Sequence, residues 1–528
     1  MNNLVSFAFS GYFVGLIQSS GFWLKLTGSY VVYQISYSLL FDPLSHIPGP
    51  WWSRFTAIPY HFKLTDGTID YYSAAIHKKY GSVVRVGPMK VSVARQKDVK
   101  LVFSSYKYAK SKLYQNQNLI KINMVTTADE HFNKIRRKQI GPAFTQTGLD
   151  SVEDLVLEVG IKALKDKLDK GIAANGGVFT FNYSLMFQSI AADVIGELAF
   201  GKNFGCMQND NKTIIKYAKN FITLSILYSI FPQLMKIPLL FKRLRKDFNS
   251  LMDLTLVSIQ QRRKEIKDNS YNPSRIDILQ IFLDATNPDG TKISQDELSS
   301  ELSLMLLAGI DTTSITLTWV LHFYTLYPEV YQKVLDEINT HFPDRSKLIK
   351  YKEAQKKLEY FMATVHESMR LKPAFCGVLP RYSSEAGIQL SEYYIPPNIE
   401  MFLVMEGANH DESLWYSPKK FIPERFLGHK NNHLSKEILT FSSGVRICPG
   451  RNLAWMEILT VLPNFVRDYD IKLLSDSIYK PEILDPSREN EPQLFKDFSF
   501  GTRGVYNCEK VCNINVSHLN PSSPDPNF

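Results

Sequence analysis

The stretch from Ser294 to Leu326 constrains this chain most. An Asn287-Pro-Asp-Gly290 turn precedes it, Pro328 follows it, and Ser294-Gln-Asp-Glu297 has capping-box spacing. The pattern predicts one helix of about thirty residues, long enough to cross a whole domain at about 1.5 Å per residue. Its middle is apolar, and most of the chain has helical texture. Yet its centre reads Leu304-Met-Leu-Leu-Ala-Gly-Ile-Asp-Thr-Thr313. An aspartate there carries a desolvation penalty unless it is paired or has a task. Gly309 thins the helix where a flat ligand or a small gas molecule could lie. Thr312 can bond back to the preceding turn and open the backbone ladder, so a kink with a self-bonded threonine reads equally well.

A second stretch limits the chemistry. Phe441-Ser-Ser-Gly-Val-Arg-Ile-Cys-Pro-Gly450 puts one cysteine in a glycine-bounded loop just before a helical pattern, Asn452-Leu-Ala-Trp-Met-Glu-Ile-Leu-Thr-Val-Leu. A sulfur there faces the positive end of a helix and free backbone N–H groups, which favour thiolate over thiol. Gly444 and Gly450 remove side chains and let a large flat group approach the backbone. Arg446, two residues before the sulfur, is a fixed cation suited to a carboxylate. Together these features suit haem with an axial cysteine. A buried free cysteine ahead of a helix is the plainer alternative.

The loop resembles the cysteine-ligand loop of the cytochrome P-450 superfamily, F-x-x-G-x-R-x-C-x-G, at all its fixed positions: Phe441, Gly444, Arg446, Cys448 and Gly450. Ala308, Gly309, Asp311 and Thr312 resemble the family's oxygen-activation segment, (A/G)-G-x-(D/E)-T. The implied roles are a proton relay through Asp311 and stabilisation of dioxygen by Thr312. Glu367-Ser-Met-Arg370 lies on a helix predicted from about Leu358 to Leu371. Alone it reads as an exposed ion pair. It resembles the family's E-x-x-R pair, which implies a buried triad with Arg425 beneath the haem. Arg381, ending the Pro373–Arg381 segment, and Arg137 or Arg136, on the basic stretch from His131 to Ile140, stand where the family binds haem propionates. Asn133 replaces the tryptophan often found before that arginine. His46-Ile-Pro-Gly-Pro50 resembles the hinge of microsomal members, and His410 to Phe426 fits their meander.

The resemblance implies a mainly α fold with small β-sheets, in which the long central helix crosses over the haem. Residues 1–45 are expected to form an N-terminal membrane anchor, 46–515 the catalytic domain and 516–528 a disordered tail. The implied activity is insertion of one oxygen atom from O₂ into an apolar or aromatic small molecule. The cofactor is haem b on Cys448. Electrons come from an NADPH-cytochrome reductase, with cytochrome b5 as a second donor, onto a basic surface of Lys419, Lys420, His429, Lys430, Lys436 and Arg451. The expected location is the endoplasmic reticulum membrane, with a monomeric catalytic domain facing the cytosol. The Arg451-to-Glu457 run looks like fungal members of the benzoate para-hydroxylase and pisatin demethylase-like group. Tyr106, Tyr108, Tyr114, Ala308, Phe375, Val378, Phe498 and Phe500 are candidate pocket residues, with ordinary core packing an equal alternative for the aromatics and Val378. An isomerase or dehydratase without O₂ activation, and a non-enzymatic haem sensor, are the competing functions.

The rest of the sequence bounds these expectations. Residues 2–24 carry no formal charge, and a second uncharged run follows Lys25. The first is long enough to span a bilayer; an amphipathic helix lying in the interface is its rival. Ser82-Val-Val-Arg-Val-Gly-Pro-Met-Lys-Val-Ser-Val predicts two short strands around a Gly-Pro turn. The 61 Lys and Arg against 52 Asp and Glu leave +9, spread along the chain without an arginine-rich arm, which argues against nucleic acid. Five scattered cysteines without paired metal spacing argue against a disulfide framework.

Overall fold

A computed structural model describes residues 20–237, 239–272, 277–375, 377–428 and 433–519. The long helix forms as Gln295–Leu326, 32 residues, or about 48 Å. The Ser294 hydroxyl accepts from the Glu297 N–H at 3.4 Å, and the Glu297 carboxylate accepts from the Ser294 N–H at 3.0 Å, so the capping box closes in both directions. Tyr327 ends the helix just ahead of Pro328. Most of it is buried, and Tyr183–Phe200, buried almost all round, packs across it. A Cβ built on Gly309 would lie 2.8 Å from the Ile195 side chain of that second helix. This corrects the expected role of Gly309: its missing side chain makes room for a neighbouring helix, not for a flat ligand.

One continuous apolar core joins these two helices to Pro328–His341, Glu359–Leu371 and Arg451–Asp468. A smaller lobe is built on a four-stranded sheet ordered Val83–Gly87, Lys90–Val93, Glu400–Val404, Val378–Tyr382. Its first pair is the hairpin read from the sequence, and Lys90–Val93 runs parallel to Glu400–Val404. A separate antiparallel hairpin pairs Asp497–Phe500 with Thr502–Val505 around Gly501, whose φ of +75° suits glycine.

Both ends of the chain depart from expectation. Asn513–His518 is the central strand of a three-stranded sheet between Phe179–Asn182 and Tyr469–Leu473, with Val516 buried. The boundary at 515/516 is therefore corrected, because cross-strand pairing carries the body to His518; residues 520–528 lie outside the described residues. At the N-terminus a helix covers Ser20–Leu40 and passes through Lys25 without a break. Most of the first uncharged run, residues 2–19, lies outside the described residues. Tyr30, Val31, Val32 and Tyr33 are all exposed. Four consecutive positions cover a full turn, so this helix has no single apolar face of the kind an interfacial helix needs. Among the described residues the helix that is long and apolar enough to cross a membrane is Gln295–Leu326, which is core.

Candidate active site

The cysteine loop is pinned on several sides. The Cys448 N–H donates to the Phe441 carbonyl at 2.9 Å, closing the loop on itself. Arg137 donates to the Ile447 carbonyl at 2.7 Å from the Glu130–Ile140 helix. Asn452 donates to the Phe144 carbonyl at 3.1 Å. Gly444 has φ +60°, and a Cβ there would lie 2.4 Å from the Phe103 carbonyl oxygen. Its glycine therefore serves a left-handed turn against neighbouring backbone, not a flat ligand. A Cβ on Gly450 would meet nothing closer than 3.9 Å, so no close approach demands glycine there.

Cys448 has an exposed face, yet its sulfur lies deep enough for burial to dominate its titration. Burial pushes the thiol up; the Gly450 N–H, Arg137 and Arg451 pull it down without overcoming burial. A bound metal's own charge supplies what the helix does not, since a coordinating thiol is deprotonated outright.

Beside the loop, cations outnumber anions. Arg446 pairs with Glu130 and lies over the Tyr106 ring at 5.6 Å. Arg381 is buried, donates to the Tyr114 hydroxyl at 3.2 Å and stacks over Phe103 and Tyr114. Lys110, also buried, donates to the Val125 carbonyl. Burial, then Arg381, Arg446 and Arg137, push its ammonium well below the ordinary lysine range, against Glu130 alone. Arg446 Nη1, Arg137 Nε and one Glu130 oxygen are buried without a partner. Four cations against one carboxylate is an arrangement that a molecule bearing two carboxylates would relieve. Arg136, the alternative to Arg137, is instead committed to Glu297 and Glu301 of the long helix.

Halfway along that helix, burial is interrupted. Ala308 is exposed and Leu307 and Thr312 half-buried, between fully buried flanks. They line a cavity of about 310 Å³ with Phe375, Val378 and the 499–502 turn. The Thr312 hydroxyl donates to the Ala308 carbonyl at 2.6 Å, so the self-bonded threonine is present and also faces the cavity. Asp311 turns away, with one carboxylate oxygen accepting from Thr502 at 3.4 Å and the other unpartnered. Burial raises its pKa, with Lys219 and the Thr502 bond opposing.

A family model for cytochrome P450 matches residues 47–489. The chain belongs to the cytochrome P450 family. It is 32% identical to the cytochrome P450 monooxygenase helB1 of Aspergillus fumigatus over 86% of this chain and 79% of that one. Two further monooxygenases of that fungus, helB2 and helB3, are each 31% identical, over 85% and 86% of this chain and 89% of their own. P450 enzymes bind haem through a cysteine thiolate, and the residues here fit it: a thiol with an open face, buried cations with unpartnered nitrogens, and a helix wall opened at Ala308.

In this P450 the Glu367 carboxylate is fully buried and receives Arg370 at 2.7 and 2.8 Å, Arg425 at 3.0 Å and the Ile422 N–H at 3.0 Å. The exposed-pair alternative is thereby excluded. Of the candidate pocket residues, Ala308, Phe375, Val378 and Tyr114 line the cavity. Tyr108 does not: it is core beneath the four-stranded sheet, with Lys107 over its ring. Tyr106 sits by the cysteine loop under Arg446 and Lys134. Phe498 packs against Gly504 and Tyr506 behind its hairpin, and Phe500 is also off the wall. The hairpin presents Ser499, Gly501 and Thr502 instead. Lys110 was missed, because one lysine in Lys107-Tyr-Ala-Lys-Ser-Lys112 carries no local sign that it turns inward. His429 and Lys430 lie outside the described residues. Lys419, Lys436 and Arg451 are exposed, and Lys420 approaches Glu489 at 3.8 Å.

Proposed function

We infer that this P450 monooxygenase oxidises an apolar small molecule in the cavity bounded by Ala308 and Thr312, and that Cys448 would hold the haem iron through its sulfur. When bound, the haem supplies O₂ activation, adding one oxygen atom to the substrate and reducing the other to water with two electrons and two protons. Arg137, Arg381, Arg446 and Lys110 would hold its two propionates. Phe441, Gly444 and Gly450 shape the loop carrying the sulfur. Asp311, whose burial favours its protonated form, stores a proton behind the wall. The Thr312 hydroxyl oxygen faces the cavity as an acceptor, its own proton held by the Ala308 carbonyl, where the rest of the wall is largely apolar and excludes water. Glu367, Arg370 and Arg425 fix the segment before the cysteine loop.

Electrons arrive from an NADPH-cytochrome reductase, or from cytochrome b5, at the basic surface of Lys419, Lys436 and Arg451. Residues 1–45, which include the uncharged run 2–24, hold the monomeric body to the endoplasmic reticulum membrane, facing the cytosol. What supports this reading most is the buried excess of cations beside a cysteine with an open face. The test is reduction of the haem-loaded protein under carbon monoxide, then turnover with reductase, NADPH and O₂. A thiolate-type red-shifted Soret band that Cys448→Ser abolishes, and product heavier by one oxygen atom, are expected. The band persisting in the serine variant would overturn the assignment.

A further inference from the structure

We propose that the substrate is a neutral, largely apolar molecule with one hydrogen-bonding oxygen, an alcohol or ketone, held by Ser225 and Gln117 at the wall of the cavity. This rests on the reading of that cavity as the substrate site. Among the described residues no charged side chain lines it, and its apolar walls come chiefly from Thr213–Ile230, the long helix and the Phe375–Pro380 segment. An ionised carboxylate entering such a space loses hydration and gains no cation. The nearest buried cations, Arg381 and Lys110, sit behind the wall, bonded to the Tyr114 hydroxyl and the Val125 carbonyl, and neither lines the cavity itself. Aromatic and fatty acids in their anionic form are therefore poor occupants.

Most polar side chains on the wall are already engaged. Ser229 donates to the Ile226 carbonyl, Ser499 to Asp70, and Thr312 to the Ala308 carbonyl. Asn123 and Thr126 bond to each other, and Tyr114 is turned to Arg381. Ser225 differs: it is 8% exposed, lines the cavity, and its hydroxyl has no bond to the preceding helical turn or to any other described group. The Gln117 amide likewise lines the cavity without a partner among the described residues. Asn116 donates to the Ser229 carbonyl at 3.2 Å, which clips the Gln117 turn to the helix one turn beyond Ser225. Two uncommitted polar groups in an apolar wall, joined by that clip, can orient a substrate through one oxygen while the remainder packs by shape.

Imidazole-tethered alkyl chains test this, because iron ligation anchors one end whatever the natural substrate is. Three series, of eight, ten and twelve carbons, end in methyl, hydroxyl or carboxylate, and Kd is read from the Soret shift of the full-length ferric protein. At one of these lengths the alcohol should bind roughly three- to tenfold tighter than the alkyl chain, and at every length the carboxylate at least about tenfold weaker than the alcohol. Ser225→Ala and Gln117→Leu should erase the alcohol's advantage and leave the alkyl affinity and that of imidazole itself unchanged. Carboxylates binding as tightly as alcohols, no alcohol advantage at any length, or variants weakening all three series equally would each overturn the proposal. Absence of any Soret shift with imidazole itself would instead refute the haem-site reading beneath it.

Discussion

Glu367→Gln isolates what the buried triad contributes. The change keeps the shape but removes the charge that faces two buried guanidiniums, with Arg370 at 2.7 Å and Arg425 at 3.0 Å. Breaking a buried pair from one side costs about 3–5 kcal/mol, because the other charge is left uncompensated. Here both arginines keep backbone acceptors: Asn409, Pro418 and Lys420 for Arg370, Tyr416 and Ser417 for Arg425. The lower figure, ~3 kcal/mol, is therefore expected. A body of roughly 470 residues at ~2.1 cal/mol/K per residue has an unfolding entropy near ~1 kcal/mol/K, so Tm should fall by ~3 °C. Scanning calorimetry of the haem-loaded protein at one fixed scan rate measures this, and haem content per chain should fall with it. Arg425→Met should cost less in the Glu367→Gln background than in the wild type, since the partner charge is already gone. A Tm within ~1 °C of wild type, or strict additivity of the two changes, would refute the reasoning.

Three other outcomes follow from the same geometry. Thr312→Ala should leave the carbon monoxide spectrum intact while product per NADPH falls by roughly tenfold or more and hydrogen peroxide rises, checked by measuring both against NADPH consumed. Pro449 offers no N–H to the adjacent sulfur, so Pro449→Ala adds a donor and should raise the Fe(III)/Fe(II) potential in a redox titration; an unchanged or lower value discards the idea. Glu457 is buried, one of its oxygens is unpartnered, and burial pushes its pKa up to about 8. The folded state then holds a proton that the unfolded chain has released above its own, lower pKa, so stability declines as pH rises from about 4.5 to about 8 and levels off beyond. Glu457→Gln should flatten that decline and stabilise the protein at pH 8 by an amount of order a few kcal/mol, read from urea midpoints across the range.

What the sequence made legible was local. The capping box at Ser294, the stop before Pro328, the Gly-Pro hairpin and the cysteine loop are each specified by residues within a few positions of one another, and all of these elements form. What it left open depends on contacts between segments far apart in the chain. Lys110 and Arg381 meet as an isolated bridge, and nothing near either residue says that both turn inward. Tyr108 and Phe498 have the aromatic character of pocket residues, but Tyr108 is packed into core and the register of its hairpin sets Phe498, half-buried, against Tyr506. The glycines show the limit most clearly. At Gly309 and Gly444 the sequence marks the missing side chain, while the group that needs the space is a neighbour at Ile195 or Phe103. Gly309→Ala separates the two explanations. A clash with Ile195 should cost about 1–3 kcal/mol, or ~1–3 °C in Tm, and Ile195→Ala should recover much of it by opening the same space from the other side. If the glycine instead served a ligand, the loss would appear in binding at unchanged Tm, and no change at Ile195 would restore it.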